Sequence, residues 1–285
     1  MKKFPKNPRL LLFKIKSYER FKIIARAIQL VSFAMIKRLK KKMDSREISL
    51  AFIKKFFQMI DKMDWLESNL CKNITIVYIT SDRSCCGLVN NHVLKKVNYF
   101  MDRVYNKNIT LVSIGSTAYT FFKRKYRYNL KLVFLDLEKE KINFSISYIL
   151  SLNMFNTSYD RFFFLFNRYI NPALQKLTVH ELTSYELLWF QLDAQKHKST
   201  FLNNLIESNK FTDIIIDFYC FSMVLVILDS LEENDYSSHG ARARTMENAF
   251  TNTDKVVSYL RLRYNKSRQA VITNEIIEVL NGSTT

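Results

Sequence analysis

The residues best suited to chemistry lie in one short stretch, residues 81–87 (SDRSCCG), which directly follows an apolar run. The turn between a buried strand and a helix is where parallel α/β sheets bind phosphate groups. This stretch contains one glycine, whereas the dinucleotide-binding and P-loop patterns use two or more to bring backbone N–H groups close to a phosphate. The stretch therefore does not predict a nucleotide site, and an NAD-type enzyme is disfavoured.

The cysteines and histidines do not predict a metal site. Cys71, Cys85, Cys86 and Cys220 include no C-x-x-C pair, and the 4 His lack metal-ligand spacing. The adjacent Cys85 and Cys86 could form a redox pair, although a reduced structural pair is favoured. Since paired carboxylates, a nucleophile elbow and a Cys–His arrangement are also missing at plausible spacings, the sequence predicts a non-catalytic chain without a cofactor or metal.

Positive charge dominates the composition. The formal net charge is +18, and residues 1–43 contain 14 Lys or Arg against one acid, Glu19. Such a concentration indicates an acidic partner or environment. Charge alone leaves three interpretations open: a solvated helix face, a basic nucleic-acid-binding helix, or contact with an anionic membrane surface.

Both ends of the chain are predicted to be long helices, because neither Gly nor Pro occurs between Arg9 and Cys86 or between Ala241 and Asn281. Each helix carries one apolar stripe, so the two most simply pack against each other. The N-terminal stripe comprises Ile24, Ile28, Val31, Met35 and Leu39. The C-terminal seam comprises Val256, Leu260, Tyr264, Ser267, Val271 and Asn274.

The middle of the chain predicts an α/β sheet. Short β-branched or aromatic runs predict strands at residues 73–80, 108–114 and 161–167, with a further strand at 130–137. Helices are predicted at residues 90–105, 116–127 and 145–153, and residues 185–212 lead into the C-terminal helix. Strands that alternate with helices imply βαβ units and a parallel sheet. No apolar run reaches the length of a membrane span, since residues 218–228 are too few.

The closing segment, residues 264–279 (YNKSRQAVITNEIIEV), closely resembles the C-terminal motif of the gamma subunit of F-type ATP synthases. That motif usually runs Tyr-Asn-x-x-Arg-Gln-Ala-x-Ile-Thr-x-Glu-Ile/Leu-x-Glu-Ile/Val. Residues 15–32, 79–90, 114–122 and 241–252 resemble the same family in the same order, and residues 124–231 resemble it only by pattern. The segments depart from the family at a few positions: Ile28 and Ala243 replace methionines, Ser84 and Leu88 replace glycines, and Ser238 replaces a glutamate.

The resemblance implies a central-stalk rotor subunit that couples rotation of the membrane ring to ATP synthesis or hydrolysis in a catalytic ring of alpha and beta subunits. The implied fold is α/β: a long antiparallel coiled coil of the N- and C-terminal helices plus a Rossmann-like α/β domain. The expected bounds are 9–66 for the N-terminal helix, 71–212 for the α/β domain and 213–282 for the C-terminal helix. The implied partners are the alpha and beta subunits, the delta/epsilon stalk subunits and the c-ring, at the membrane periphery without a transmembrane span.

The resemblance also implies a set of residues that contact other subunits and carry coupling: Ile28, Asp82, Arg83, Arg242, Arg268, Gln269 and Thr273. The alternative for the residues of the C-terminal helix is an ordinary exposed face. The alternative for Asp82 and Arg83 is a local salt bridge within the turn.

The sequence also predicts a location for the protein and leaves one competing function. The basic, serine-poor N-terminus predicts an import signal retained within the first helix, and hence a peripheral position on the matrix side of the mitochondrial inner membrane. A plastid location is disfavoured because residues 167–231 hold no cysteine-bearing regulatory insertion, Cys220 standing alone there. A basic nucleic-acid-binding helical protein is the competing function, although it leaves the closing motif unexplained.

Overall fold

The computed structural model describes residues 7–44, 51, 53, 72–104, 107–157, 159–172, 174–195 and 209–282. The helices are α1 (Pro8–Asp44), α2 (Val89–Arg103), α3 (Ser116–Lys125), α4 (Phe144–Phe155), α5 (Tyr185–Gln195) and α6 (Asn209–Gly282). The strands are β1 (Asn73–Ile79), β2 (Asn108–Ile114), β3 (Leu130–Phe134), β4 (Arg161–Asn171) and β5 (Leu174–Thr183). The chain forms two compact units, one of Met1–Phe33 with Arg242–Thr285 and one of Ala34–Ala241.

The larger unit contains a five-stranded sheet in the order β3-β2-β1-β4-β5. β1 runs parallel to both β2 and β4, and β3 runs parallel to β2. The first three predicted strands and the parallel βαβ arrangement are therefore confirmed. The strand predicted at 130–137 is shorter, because β3 ends at Phe134 and a short 3₁₀ helix, Leu137–Lys139, follows.

The fifth strand was not predicted, and it breaks the parallel pattern. β5 pairs antiparallel with β4 along most of its length. Its apolar residues Leu177 and Val179 pack against the core, but they are separated by polar residues, so no continuous apolar run marks the strand. The preceding turn holds an Asn171-Pro172 dipeptide, and the Asn171 side chain accepts a 2.7 Å hydrogen bond from the backbone N–H of Leu174. That dipeptide was the available sequence signal for a hairpin.

Helices cover both faces of this sheet. Alternate residues of β1 point to opposite sides, as the strand period requires. Ile76 and Tyr78 pack with residues of α2 and α3, whereas Val77 and Ile79 pack with residues of α4, α5 and the first part of α6. Buried strands between two helical layers are the α/β architecture that the sequence predicts.

The smaller unit is a helix pair. Leu11 and Ile15 of α1 form a buried cluster with Val257 and Leu260 of α6. Glu19 accepts a hydrogen bond of 2.5 Å from Arg261, and Lys22 forms an ion pair with Asp254. Since residue numbers rise along α1 while those of its partners fall along α6, the two helices run antiparallel, as predicted.

The apolar stripe predicted on α1 is displaced by about one residue. Ile24 and Val31 are 55% and 61% exposed, and Ile28 and Met35 are only half-buried. The buried seam instead comprises Leu11, Ile15, Ala25, Gln29 and Ser32, and of the predicted stripe only Leu39 is buried. Small or polar residues occupy much of this seam, so the bulkier neighbours on the next face gave the stronger hydrophobic pattern. Both polar side chains form hydrogen bonds within α1. Gln29 accepts one from Arg26 at 2.8 Å, and the Ser32 hydroxyl donates one to the carbonyl of Ile28 at 2.8 Å.

The seam predicted on the C-terminal helix holds only for its first part. Leu260 is buried, and Val256, Tyr264 and Ser267 are half-buried. Val271 and Asn274 are exposed, which contradicts the prediction for those two positions. The buried cluster of α1 and α6 reaches no further than Tyr264 on α6, so these two residues lack its cover.

The prediction about membrane spans needs a correction. By length and composition, α6 contains an 18-residue window apolar enough to cross a membrane. The window was missed because its apolar residues are interrupted by a few polar ones. Most of the window is buried within the protein, where Ile215, Met223 and Leu231 belong to the core of the larger unit. A core helix explains the composition.

The predicted N-terminal helix, 9–66, is described from Pro8 to Asp44 and at residues 51 and 53, which are helical. The rest of that prediction lies outside the described residues, as does the prediction for residues 196–208. The three domain bounds stay predictions.

Candidate functional site

The loop after β1 is fixed by contacts to two other loops. One carboxylate oxygen of Asp82 accepts a hydrogen bond of 2.8 Å from the backbone N–H of Ser116, the first residue of α3. The backbone N–H of Asp82 donates to Glu138 at 2.9 Å. A carboxylate at a helix N-terminus satisfies an unpaired N–H and opposes the positive end of the helix dipole. Asp82 therefore joins the ends of β1 and β2 to the segment after β3.

The alternative of a salt bridge between Asp82 and Arg83 is replaced by a different pair. Arg83 Nε lies 3.6 Å from Glu138 Oε2, and the Arg83 side chain is 63% exposed. Glu138 thus holds both residues, one through a backbone N–H and one through a guanidinium group. An exposed guanidinium group on an anchored loop can contact a partner without unfolding the loop.

Close backbone packing between the ends of β1 and β2 holds this loop in place. Thr80 donates its backbone N–H to Ile114 at 2.9 Å, and Gly115 has φ +95°. A Cβ at Gly115 would lie 2.0 Å from the carbonyl oxygen of Thr80, so only glycine fits there. On the other side of the loop, Asn90 donates to the Ser81 hydroxyl at 2.8 Å.

Cys85 and Cys86 are both outside any disulfide, and their thiols have different surroundings. Cys85 is exposed, with φ +70°. Cys86 is buried, and its thiol lies 3.5 Å from the carbonyl oxygen of Arg83. Cys86 therefore serves the turn as a small packed residue, which agrees with the structural interpretation of the pair.

The crevice at the carboxyl ends of β1 and β2 is nearly closed. It holds a cavity of about 20 Å³, lined by Thr80 and Asp82 from the loop and by Leu231 and Asn234 from α6. Ligands of open α/β sheets bind in this crevice, and a nucleotide needs a pocket of several hundred Å³. Since α6 occupies the place of a ligand, the geometry does not favour the NAD-type enzyme.

The far end of α6 has a different character. Arg268, Gln269 and Thr273 are all exposed. The Thr273 hydroxyl donates to the backbone carbonyl of Gln269 at 2.8 Å, a bond within the helix that leaves both side chains on the surface. Every described residue after Ser267 is exposed, and they include apolar Ile276 and Val279. This end of α6 is therefore exposed on every side.

The other two predicted contact residues lie elsewhere. Ile28 is half-buried on α1, and Arg242 is buried on α6, with 5% of its surface exposed. The structure thus divides the predicted set into an anchored loop, an exposed helix end and two residues with little free surface.

Comparison with known proteins identifies the chain. The family model described as ATP synthase matches residues 9–285. The mitochondrial ATP synthase subunit gamma of Trypanosoma brucei brucei is 26% identical over 282 residues, which cover 96% of this chain and 90% of the relative. The ATP synthase gamma chain of Ehrlichia ruminantium (strain Welgevonden) is 27% identical over 293 residues, with 97% of each chain covered. The chain belongs to the ATP synthase gamma-subunit family.

Solved structures show the same fold. A chain of the Euglena gracilis mitochondrial ATP synthase, described as OSCP/F1/c-ring in rotational state 3, superposes with a TM-score of 0.81 at 21% identity, covering 97% of this chain and 93% of that one. A chain of the same enzyme's rotor, in rotational state 1, superposes with a TM-score of 0.77 at 22% identity. The match covers 93% of this chain and 98% of that one. This gamma subunit is a central-stalk component, and its relatives support association with a mitochondrial F1 assembly. The nucleic-acid interpretation finds no support in these comparisons.

Two residues that shape the loop after β1 were not predicted from the sequence. Ser116 and Glu138 are as important to its geometry as Asp82 and Arg83. Ser116 follows Gly115 at a helix start, which was a usable signal for a helix N-terminus that accepts a carboxylate. Glu138 lies 56 positions from Asp82, and nothing local indicates that contact.

Proposed function

We propose that this chain is the rotor of a mitochondrial ATP synthase, a subunit without a catalytic site that transmits torque between the membrane ring and the catalytic alpha and beta subunits. The observation that carries this proposal is the antiparallel pairing of the two terminal helices, in a chain matched by the ATP synthase family over residues 9–285. A pair of helices resists twisting better than one, and a rotor must turn without losing its shape.

The absence of a catalytic role is part of the proposal. It is supported by the crevice at the sheet edge, whose cavity of about 20 Å³ is too small for a nucleotide. The loop beside it uses the carboxylate of Asp82 and the hydroxyl of Ser81 for internal hydrogen bonds. The chain is proposed to act through its surfaces.

The proposed contact surface toward the catalytic subunits is the exposed end of α6 with Arg268, Gln269 and Thr273. Modest polar contacts suit a shaft that must leave one orientation for the next, because deep apolar docking would resist rotation. Arg83 is proposed as a second contact, anchored by Glu138. Asp82, Arg242 and Ile28 are proposed to position these surfaces, since they have little free surface of their own.

Affinity purification tests the assembly. A tagged chain purified from native membranes in mild detergent should bring down the alpha and beta subunits, the delta/epsilon stalk subunits and the proton-carrying c-ring. Recovery of the chain as a stable monomer would contradict the proposal.

The proposed location is the matrix side of the inner mitochondrial membrane. The basic N-terminal segment and the mitochondrial relative support it. A C-terminal epitope tag should colocalise with mitochondria and resist protease until the inner membrane is opened. A plastid signal, or digestion in intact mitoplasts, would contradict this location.

A further inference from the structure

Positive charge is concentrated at the end of α3 and in the loop that leads into β3. Of the nine residues from Lys123 to Lys131, five are Lys or Arg and none is acidic. Lys123, Arg124, Arg127 and Lys131 are exposed, and none of the four forms an ion pair with a carboxylate in the part of the chain that the structure describes. A surface that serves only solubility mixes charges of both signs, because like charges that lie close together repel each other.

The dipole of α3 accounts for part of this charge. Cations in the last turn of a helix are stabilised by the carbonyl groups there, and that turn of α3 holds three of the five basic residues. One of them, Lys125, also donates a hydrogen bond of 2.6 Å to Asn98 of α2. Arg127 and Lys131 lie beyond the end of the helix. The dipole therefore does not explain the whole cluster.

Exposed aromatic rings lie among these basic residues. Phe121 is 52% exposed and Tyr128 is 92% exposed. The loop that carries Tyr128 is fixed, since the side-chain amide of Asn129 donates to the carbonyl of Ile109 at 2.9 Å. Aromatic rings beside Lys and Arg side chains are typical of surfaces that lie at the boundary between water and lipid. We call the following six residues the basic edge: Phe121, Lys123, Arg124, Arg127, Tyr128 and Lys131.

The basic edge lies on one face of the sheet, and the exposed acids at the start of α6 lie on the other. α2 and α3 pack on the first face, whereas the first part of α6, with Asp213 and Asp217, packs on the second. Residues 89–131, which contain α2, β2 and α3, include nine Lys or Arg and one acid, Asp102. The charge of this layer is therefore complementary to an anionic surface.

We propose that the basic edge binds the anionic phospholipid headgroups of a membrane. The basic side chains pair with lipid phosphate groups, and the rings of Phe121 and Tyr128 enter the headgroup region between them. The inference rests on the proposed function, because a subunit of a membrane-attached complex lies near such a surface. Nucleic acid offers the same phosphate chemistry, but family membership favours the lipid.

Sedimentation of the full chain with vesicles tests the charge. The vesicles are phosphatidylcholine with or without cardiolipin, and the parent chain should bind only those with cardiolipin. Arg124→Gln with Arg127→Gln should weaken that binding about twentyfold, because each basic residue near an anionic surface contributes about fivefold. Arg20→Gln with Arg38→Gln is the control: it removes the same charge from exposed positions of α1 and should weaken binding less than about threefold. Equal losses from the two variants would mean attraction to net charge alone and would overturn the inference.

Fluorescence quenching tests the position of the surface. Tyr128→Trp is compared with Tyr259→Trp, on an exposed part of α6, in cardiolipin vesicles whose acyl chains are brominated. The signal of the parent chain, from Trp65 and Trp189, is subtracted. Quenching should occur at position 128 and not at position 259. Equal quenching at both positions, or binding of a single-stranded RNA oligonucleotide with no quenching at position 128, would overturn the inference.

Affinity purification separates this inference from the proposed function. The chain with Arg124→Gln and Arg127→Gln should still recover the alpha and beta subunits. If it does so while its vesicle binding equals that of the parent chain, the inference fails and the proposed function stands. A parent chain that recovers neither subunit contradicts the proposed function itself.

Discussion

At the scale of single residues, partly buried hydrogen bonds hold the loop after β1, which carries the exposed side chain of Arg83. Asp82 and Glu138 satisfy backbone N–H groups, and Glu138 also holds the guanidinium group of Arg83. Gly115 makes room for the carbonyl oxygen of Thr80. The contact proposed for Arg83 depends on this arrangement, because an unanchored arginine would lose more side-chain entropy on binding.

Substitutions on α6 can test whether its polar residues couple rotation to ATP hydrolysis. Gln269→Leu and Thr273→Leu should leave the helix formed, because leucine is a good helix former. ATP hydrolysis, or its coupling to proton pumping, should fall about fivefold for each, the equivalent of one hydrogen bond of about 1 kcal/mol. Lys255→Leu, at an exposed position outside the segments that resemble the family, is the matched control. Arg242→Ala should also reduce coupling. Normal hydrolysis and pumping in assembled complexes of the Gln269→Leu, Thr273→Leu and Arg242→Ala variants would show that these residues do not contribute to coupling.

Tyr78 should make the sheet sensitive to high pH. Burial raises the pKa of its phenol to about 12 from 10.0. Because the folded pKa is the higher one, the stabilising contribution is complete below about pH 10 and is lost as pH rises through 12. The free energy of unfolding should fall by about 2 kcal/mol between pH 9 and pH 12 from this group.

Tyr78→Phe should remove this pH-dependent loss of stability. It retains the ring, whose centroid lies 5.3 Å from that of Phe122 in an edge-on arrangement. Denaturant titrations at pH 9 and pH 12 measure it, with Tyr128→Phe as the exposed control. An unchanged pH dependence in Tyr78→Phe would show that this phenol is not responsible.

At the scale of elements, the two helices of the smaller unit are held by a narrow seam. Leu260 is fully buried in it, whereas Leu262 is 64% exposed. Leu260→Ala should lower the free energy of unfolding of the helix pair by about 2–5 kcal/mol, because it removes buried methyl groups and leaves a cavity. Leu262→Ala should change it by less than about 0.5 kcal/mol. Circular dichroism during denaturant unfolding measures both, and equal effects would mean that the seam is misplaced.

The sequence predicts elements better than it predicts their faces. Strands β1, β2 and β4 are continuous runs of β-branched or aromatic residues, so their existence and starts were predictable. β5 was missed because it lies at the edge of the sheet and mixes polar with apolar residues. The seam of α1 was displaced because Ala25, Gln29 and Ser32 pack closely without a strong hydrophobic signal.

The candidate site was likewise predictable only in part. The C-terminal motif is contiguous, so its residues were found from sequence alone, and the exposure of Arg268, Gln269 and Thr273 agrees with a surface role. The contact between Asp82 and Glu138 spans three connections of the fold and has no local signal. Burial of Arg242 is likewise a tertiary property, which the helical pattern around it does not indicate.

At the scale of the whole molecule, family membership and fold agree on a central-stalk subunit. The α/β unit uses an architecture that often binds nucleotides, but α6 closes the crevice where they bind. The helix pair presents polar and apolar residues to other proteins. Both observations support the proposed mechanical function, whose decisive property is movement relative to the catalytic subunits.

Single-molecule observation of the purified complex tests that movement directly. The complex is immobilised through its catalytic subunits, and a bead is attached to Tyr128→Cys in a Cys85→Ser background, since Cys85 is the other exposed cysteine among the described residues. We expect ATP to drive continuous rotation of the bead in one direction, and an inhibitor of hydrolysis to stop it. A bead that stays fixed while the same complexes hydrolyse ATP would contradict the assignment of this chain as the rotor.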